Sequence, residues 1–72
     1  MIKKNKIKIK VNGKNYLVNN NYSLNELINK LDIPKKMVAI ELNKTIVDKK
    51  KLKKIILKQK DCLEIVHFIG GG

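Results

Sequence analysis

Apolar and polar residues alternate strictly in the stretch K-I-K-I-K-V at Lys6–Val11. This spacing places the apolar side chains on one face and the lysines on the other, which is typical of a half-buried β-strand. Asn12-Gly13 follows directly and favours a type I′ turn, in which both central residues need positive φ. Residues 14–18 are then interpreted as the return strand, with Tyr16 and Val18 on one face. The pattern therefore predicts an opening β-hairpin.

The apolar spacing changes to that of a helix after Ser23. The segment S-L-N-E that begins there has the form of a capping box, in which the serine and glutamate side chains each accept from the other residue's amide. One apolar stripe follows at Leu24, Leu27, Ile28 and Leu31. The segment D-I-P, ending at Pro34, predicts the end of the helix, because the residue before a proline is disfavoured in the α region.

Further apolar segments follow the helix. Residues 37–42 (M-V-A-I-E-L) are apolar almost throughout, which predicts a strand near the centre of a sheet. Residues 45–47 predict a short strand, residues 48–54 a lysine-rich loop with a helical turn, and residues 63–68 the last strand.

The order of these elements predicts an α+β fold of the β-grasp (ubiquitin-like) kind. One main helix would pack across a mixed sheet, and 72 residues suffice for only one small core. We expect a single domain over residues 1–69, followed by a flexible Gly-Gly-Gly tail over residues 70–72.

The charge of the chain bears on its partners. All 17 basic residues are lysines, and the formal net charge is +11. Recognition of phosphates and bases favours the arginine fork, and only Tyr16, Tyr22 and Phe68 offer aromatic faces for stacking. We therefore favour a solvated basic surface over a nucleic-acid site, and we expect salt-dependent association with acidic proteins.

Cysteine use and hydropathy bear on the compartment. Cys62 is the only cysteine, so no internal disulfide can form. No apolar run has the length of a signal peptide or a bilayer span. We expect a cytoplasmic protein that does not associate with membranes.

Candidate catalytic residues are few. Cys62 lacks an adjacent base, since His67 lies five positions further along the same predicted strand, and we interpret Cys62 as a structural small residue. A single histidine cannot bind a metal, and the acidic residues fall in a helix cap or in turns. We expect no catalytic residue, no metal site and no bound cofactor, so the chain is predicted not to be an enzyme.

The last five residues, F-I-G-G-G, leave a choice between a frayed terminus and a functional tail. Glycine has no Cβ, so such a strip could pass through a channel too narrow for other residues. Three extended residues reach about 10 Å and could carry the carboxylate of Gly72 into the active site of another protein. An ATP-dependent partner could form an acyl-adenylate there, which a sulfur or nitrogen nucleophile would displace. This reasoning predicts a carrier whose reactive group is its own end.

Several stretches resemble one known family over nearly the whole chain. They are V-N-G-K, S-L-N-E-L-I, V-A-I-E-L-N, I-V and D-C-L-E-I-V-H-F-I-G-G-G, at residues 11–14, 23–28, 38–43, 46–47 and 61–72. The order and the Gly-Gly end are similar to ubiquitin-like proteins in general, and more closely to the ThiS family, the bacterial sulfur carriers of thiamin biosynthesis. The last stretch is the most specific of the five.

The resemblance implies a mechanism and partners. An E1-like adenylyltransferase (ThiF-like) would use ATP to adenylate the carboxylate of Gly72, and a sulfur donor would convert it to a thiocarboxylate. Thiazole synthase (ThiG-like) would then take the sulfur for the thiazole ring of thiamin. Gly70 and Gly71 would lead into the partner, and Val66, Phe68 and Ile69 would dock against it. The carrier alone would be a monomer.

Two further observations bear on this resemblance, one in agreement with it and one that departs from the family pattern. If Leu63 and Ile65 face the core, alternation turns Val66 and Phe68 outward, as docking requires. The family often has glycine where this chain has Lys60, which implies either a left-handed backbone at Lys60 or a different turn.

Three alternative functions remain open at the level of the sequence. The small subunit of molybdopterin synthase shares the fold, tail and activation, although the short chain and V-A-I-E-L-N favour the thiamin branch. A ubiquitin-like modifier would end in an amide bond to a lysine, and a small basic nucleic-acid binder would make no use of the tail.

Overall fold

A computed structural model describes residues 6–68 as a five-stranded mixed sheet with one α-helix packed across it. The strands are β1 (Lys6–Val11), β2 (Lys14–Asn19), β3 (Val38–Leu42), β4 (Thr45–Ile46) and β5 (Cys62–His67), and the helix is α1 (Leu24–Lys30). Two 3-10 helices lie at Lys35–Met37 and Lys49–Lys54. The predicted α+β, β-grasp architecture is confirmed.

The strands are arranged in the order β2-β1-β5-β3-β4. The pair β1–β5 is parallel, and the other pairs are antiparallel. The middle strand is therefore β5, and the expectation that β3 would be central is wrong in detail: β3 has a neighbour on each side but lies next to the two-residue edge strand β4.

The opening hairpin forms as predicted. Asn12 and Gly13 have φ of 50° and 84°, so both central residues of the turn lie in the left-handed region that a type I′ turn requires. Every residue of β1 is paired with β2, in a register that runs from Lys6 opposite Asn19 to Val11 opposite Lys14.

The start of α1 shows the predicted capping box. The Oγ of Ser23 accepts from the Glu26 N–H at 3.0 Å, and Oε1 of Glu26 accepts from the Ser23 N–H at 2.8 Å. The first three apolar positions of the stripe, Leu24, Leu27 and Ile28, are fully buried. The helix therefore begins where the sequence predicts and turns its apolar face to the sheet.

The helix ends by a different means from the one predicted. Its last residue is Lys30, and Asp32 has a φ of 58°. The Asp32 N–H donates to the Asn29 carbonyl and the Ile33 N–H to the Ile28 carbonyl, each at 3.0 Å. This is a Schellman motif with aspartate in the left-handed position that glycine usually takes, so the chain has left the helix before it reaches Pro34.

The core lies between α1 and the sheet. The lysine-rich 3-10 helix closes one side of it with Leu52, and the segment after it contributes Leu57. Backbone bonds of 2.8 Å from Leu24 N–H to the Ile55 carbonyl, and from Leu57 N–H to the Tyr22 carbonyl, fasten this segment beside the helix. The buried apolar residues are Ile9, Val11, Val18, Leu24, Leu27, Ile28, Val38, Ile40, Leu52, Leu57, Leu63 and Ile65.

The turn before β5 contains the residue that departs from the family pattern. Lys60 has a φ of 72°, so of the two possibilities the left-handed backbone is the one observed. The side chain of Asp61 stabilises this turn. Its carboxylate accepts from the Lys58 N–H at 2.8 Å and from Nδ2 of Asn43 at 3.0 Å.

Candidate functional site at the end of β5

Strand β5 sets the direction of the predicted docking residues. Leu63 is fully buried and Ile65 is 9% exposed, whereas Val66 and Phe68 are 58% and 54% exposed. The prediction that Val66 and Phe68 face outward is confirmed. Ile69 and the predicted tail, Gly70, Gly71 and Gly72, lie outside the described residues, and their roles stay predictions.

Strand β3 brings two more apolar side chains to the same surface. The Phe68 N–H donates to the Met37 carbonyl at 2.8 Å, which sets these residues opposite each other. Ala39 lies opposite Val66 in the β3–β5 register. Met37 is 52% exposed, and Ala39 is half-buried. We call these four residues, Met37, Ala39, Val66 and Phe68, the apolar patch.

Sequence reasoning missed half of the apolar patch. It assigned Met37 and Ala39 to a strand that is apolar almost throughout, and it did not use Glu41, the one charged residue on the same alternating face. The register between β3 and β5 is what puts them beside Val66 and Phe68.

A lysine lies over the aromatic ring of the patch. Nζ of Lys49 is 5.3 Å from the ring centroid of Phe68, within the range of a cation–π interaction. The same Nζ donates to the Lys35 carbonyl at 2.7 Å. Lys49 therefore joins the two 3-10 helices to the exposed end of β5.

The side chain of Asn12 anchors β5 on its other edge. Its Oδ1 accepts from the Ile65 N–H at 2.7 Å, and its Nδ2 donates to the Ile65 carbonyl at 3.2 Å. The parallel β1–β5 register covers Lys10 opposite Cys62 and Val11 opposite Leu63. The amide of Asn12 thus continues the contact between β1 and β5 to Ile65, two residues beyond Leu63 and closer to the apolar patch.

The remaining candidates do not form a catalytic site. Cys62 is an exposed free cysteine at the start of β5, on the solvent face and not in the core. His67 ends the same strand, and five positions of separation place the two side chains on opposite faces. Between residues 6 and 68, no group of three or more His, Cys, Asp or Glu side chains could hold a metal ion. In the same part of the chain, no helix has the length and apolar character needed to cross a membrane.

Comparison with known proteins identifies similar chains. The model of the ThiS family matches residues 4–72. The sulfur carrier protein ThiS of Bacillus subtilis is 36% identical over 50 residues, which cover 69% of this chain and 76% of that protein. An uncharacterized protein of Porphyra purpurea, ycf40, is 35% identical over 72 residues, the full length of both chains.

Two further matches concern an enzyme and a solved structure. The thiazole synthase of Magnetococcus marinus is 35% identical over 66 residues, which cover 92% of this chain but only 20% of that protein. The crystal structure of the thiamine biosynthesis protein ThiS from Geobacter metallireducens superposes with a TM-score of 0.79 at 28% identity, covering 92% of this chain and all of that one.

Proposed function

Because this chain belongs to the ThiS family, the sulfur carriers of thiamin biosynthesis, we propose that it carries sulfur as a thiocarboxylate on Gly72. An E1-like, ThiF-like adenylyltransferase joins the Gly72 carboxylate to the AMP part of ATP and releases pyrophosphate. A sulfur donor then displaces AMP, so that one carboxylate oxygen leaves with AMP and sulfur takes its place. Both ATP and the sulfur donor belong to the activating partner; the carrier supplies only the carboxylate.

The family match through residue 72 carries this proposal. The Porphyra relative aligns with this chain over its full length, to the same last position. Glycine at positions 70, 71 and 72 would let the tail enter a narrow active site, since no side chain adds to the width of the backbone. The exposed apolar patch at the end of β5 suits a surface that docks beside such a site.

The proposed acceptor of the sulfur is a ThiG-like thiazole synthase. The Magnetococcus thiazole synthase contains a segment similar to this chain within its own polypeptide, which fits a carrier and a synthase that work together. The carrier is then a protein co-substrate rather than an enzyme, monomeric on its own, and the use of ATP suits a cytoplasmic location.

Mass spectrometry tests the proposal directly. Incubation with the activating enzyme from the same organism, ATP and a sulfur donor should add about 16 Da, the difference between sulfur and oxygen, to the C-terminal peptide alone. A chain extended by an uncleaved tryptophan after Gly72 is the negative control, because its Gly72 has no free carboxylate.

Cys62→Ser supplies the matched positive control. Cys62 is the only thiol in the chain and is exposed, so it is the one other residue that could acquire sulfur, as a persulfide with a gain of about 32 Da. We expect Cys62→Ser to gain the same mass as the parent. An unchanged parent mass, or sulfur found only on Cys62, would contradict the proposal.

A further inference from the structure

The apolar patch has lysines along one border. Lys35 and Lys36 belong to the 3-10 helix that ends at Met37, and the Lys49 bond to the Lys35 carbonyl brings Lys49 and Lys50 to the same place. Lys36 and Lys50 are exposed. The Nζ of Lys35 donates to Oδ1 of Asn25 on α1 at 3.2 Å, so its charge points away from the apolar patch. We call the other three residues, Lys36, Lys49 and Lys50, the patch-side lysines.

A second group of lysines lies at the opposite end of β5. Lys10 is opposite Cys62 in the parallel register, and the Lys60 N–H donates to the Lys8 carbonyl at 2.7 Å. Cys62 and Phe68 are six positions apart along the strand direction, or about 20 Å. Lys8, Lys10 and Lys60, all exposed, are the remote lysines.

We propose that the apolar patch and the patch-side lysines form one docking surface for thiazole synthase. The partner surface it fits is an apolar pocket with carboxylates along one rim. Stable interfaces commonly have such an apolar centre and a polar border. This inference rests on the proposed function, and the Magnetococcus thiazole synthase is the reason for naming this partner.

The two parts of the surface act differently. The apolar patch, with Phe68 at 54% exposure, loses water on docking and mainly slows dissociation. The patch-side lysines stay at the rim, where they speed the encounter and orient the carrier in a salt-dependent manner. Lys49 links the two parts, because its Nζ lies over the Phe68 ring and also donates to the Lys35 carbonyl.

Two double variants of equal charge test the lysines. Lys36→Gln with Lys50→Gln, and Lys8→Gln with Lys10→Gln, each lower the net charge by two, from +11 to +9. Binding of the carrier to thiazole synthase from the same organism is measured by surface plasmon resonance at low and at physiological salt. We expect the patch-side variant to bind about fivefold more weakly at low salt, mostly through slower association, and the remote variant to change by less than about twofold.

Phe68→Ala tests the apolar patch. Phe68 is exposed, so its removal should leave the fold intact, which thermal unfolding verifies. We expect faster dissociation with an unchanged salt dependence, whereas the patch-side double variant should reduce that dependence. Equal effects of the two double variants would mean that only net charge matters, and the inference would be wrong.

Activation by the adenylyltransferase separates this inference from the proposed function. If neither the parent nor any variant gains the thiocarboxylate, the proposed function is wrong. If the parent gains it but the patch-side and remote variants bind thiazole synthase alike, only the docking surface fails. If the patch-side variant slows adenylation and leaves binding to thiazole synthase unchanged, the surface serves the activating enzyme and the assignment to thiazole synthase is overturned.

Discussion

The amide of Asn12 joins the hairpin turn to the strand that leads to the apolar patch, and Asn12→Gly tests what this link contributes. Glycine accepts the φ of 50° at this position, so the substitution removes the side chain without adding backbone strain. It deletes the two hydrogen bonds to Ile65, of 2.7 and 3.2 Å. At about 1 kcal/mol for each bond, the expected loss of stability is about 2 kcal/mol.

Asn21→Gly is the matched control. Asn21 is also exposed and has a φ of 68°, and its side chain makes no hydrogen bond within residues 6–68. Both substitutions replace an asparagine in the left-handed backbone conformation by glycine. Both therefore add the same conformational freedom to the unfolded chain. The difference between them therefore isolates the link to Ile65.

Urea and thermal unfolding followed by far-UV circular dichroism measure the effect, since the chain has no tryptophan. A difference of about 2 kcal/mol corresponds to a midpoint lower by roughly 8–16 °C in a domain of this size. Hydrogen exchange adds a local readout, because the Ile65 amide should lose protection about 30-fold or more in the Asn12 variant. If the two glycine variants agree in stability to within about 0.5 kcal/mol, the side chain of Asn12 does not anchor β5.

Two further predictions concern exposed positions. Lys60→Gly should raise the free energy of unfolding by about 0.5–1 kcal/mol in urea titrations, because a residue with a Cβ is strained at the φ of 72° that Lys60 adopts, whereas glycine is not. Lys60→Ala keeps the Cβ and should show no such gain. Glu64→Gln should stabilise the fold by roughly 0.2–1 kcal/mol, because Glu64 lies directly opposite Glu41 in the sheet. The gain from Glu64→Gln should shrink at high salt, and a gain that does not change with salt would show that charge repulsion is not its cause.

The sequence predicts the local elements of this fold well because their signals are local. The Asn12-Gly13 turn and the capping box at Ser23 each depend on residues at most three positions apart. The outward direction of Val66 and Phe68 follows from alternation within one strand. These features need no knowledge of what packs against them.

The features that sequence reasoning missed depend on distant pairings or on unusual residues. The central place of β5 and the contribution of Met37 to the apolar patch follow from how β5 pairs with β1 and β3. The Asn12 link spans 53 positions along the chain. Sequence reasoning attributes the end of α1 to the proline of the D-I-P segment, because aspartate at Asp32 is a weaker signal for a left-handed residue than glycine.

The central place of β5 also affects how the protein is made. A ribosome synthesises the chain from its N-terminus, so the hairpin, α1 and β3 emerge before the strand that joins β1 to β3. Until β5 is complete, the sheet stays in two parts and the core lacks Leu63 and Ile65. Val66 and Phe68 are absent from the nascent chain for the same reason. An unfinished polypeptide therefore lacks half of the apolar patch, and the docking that we propose would be confined to chains whose translation has passed β5.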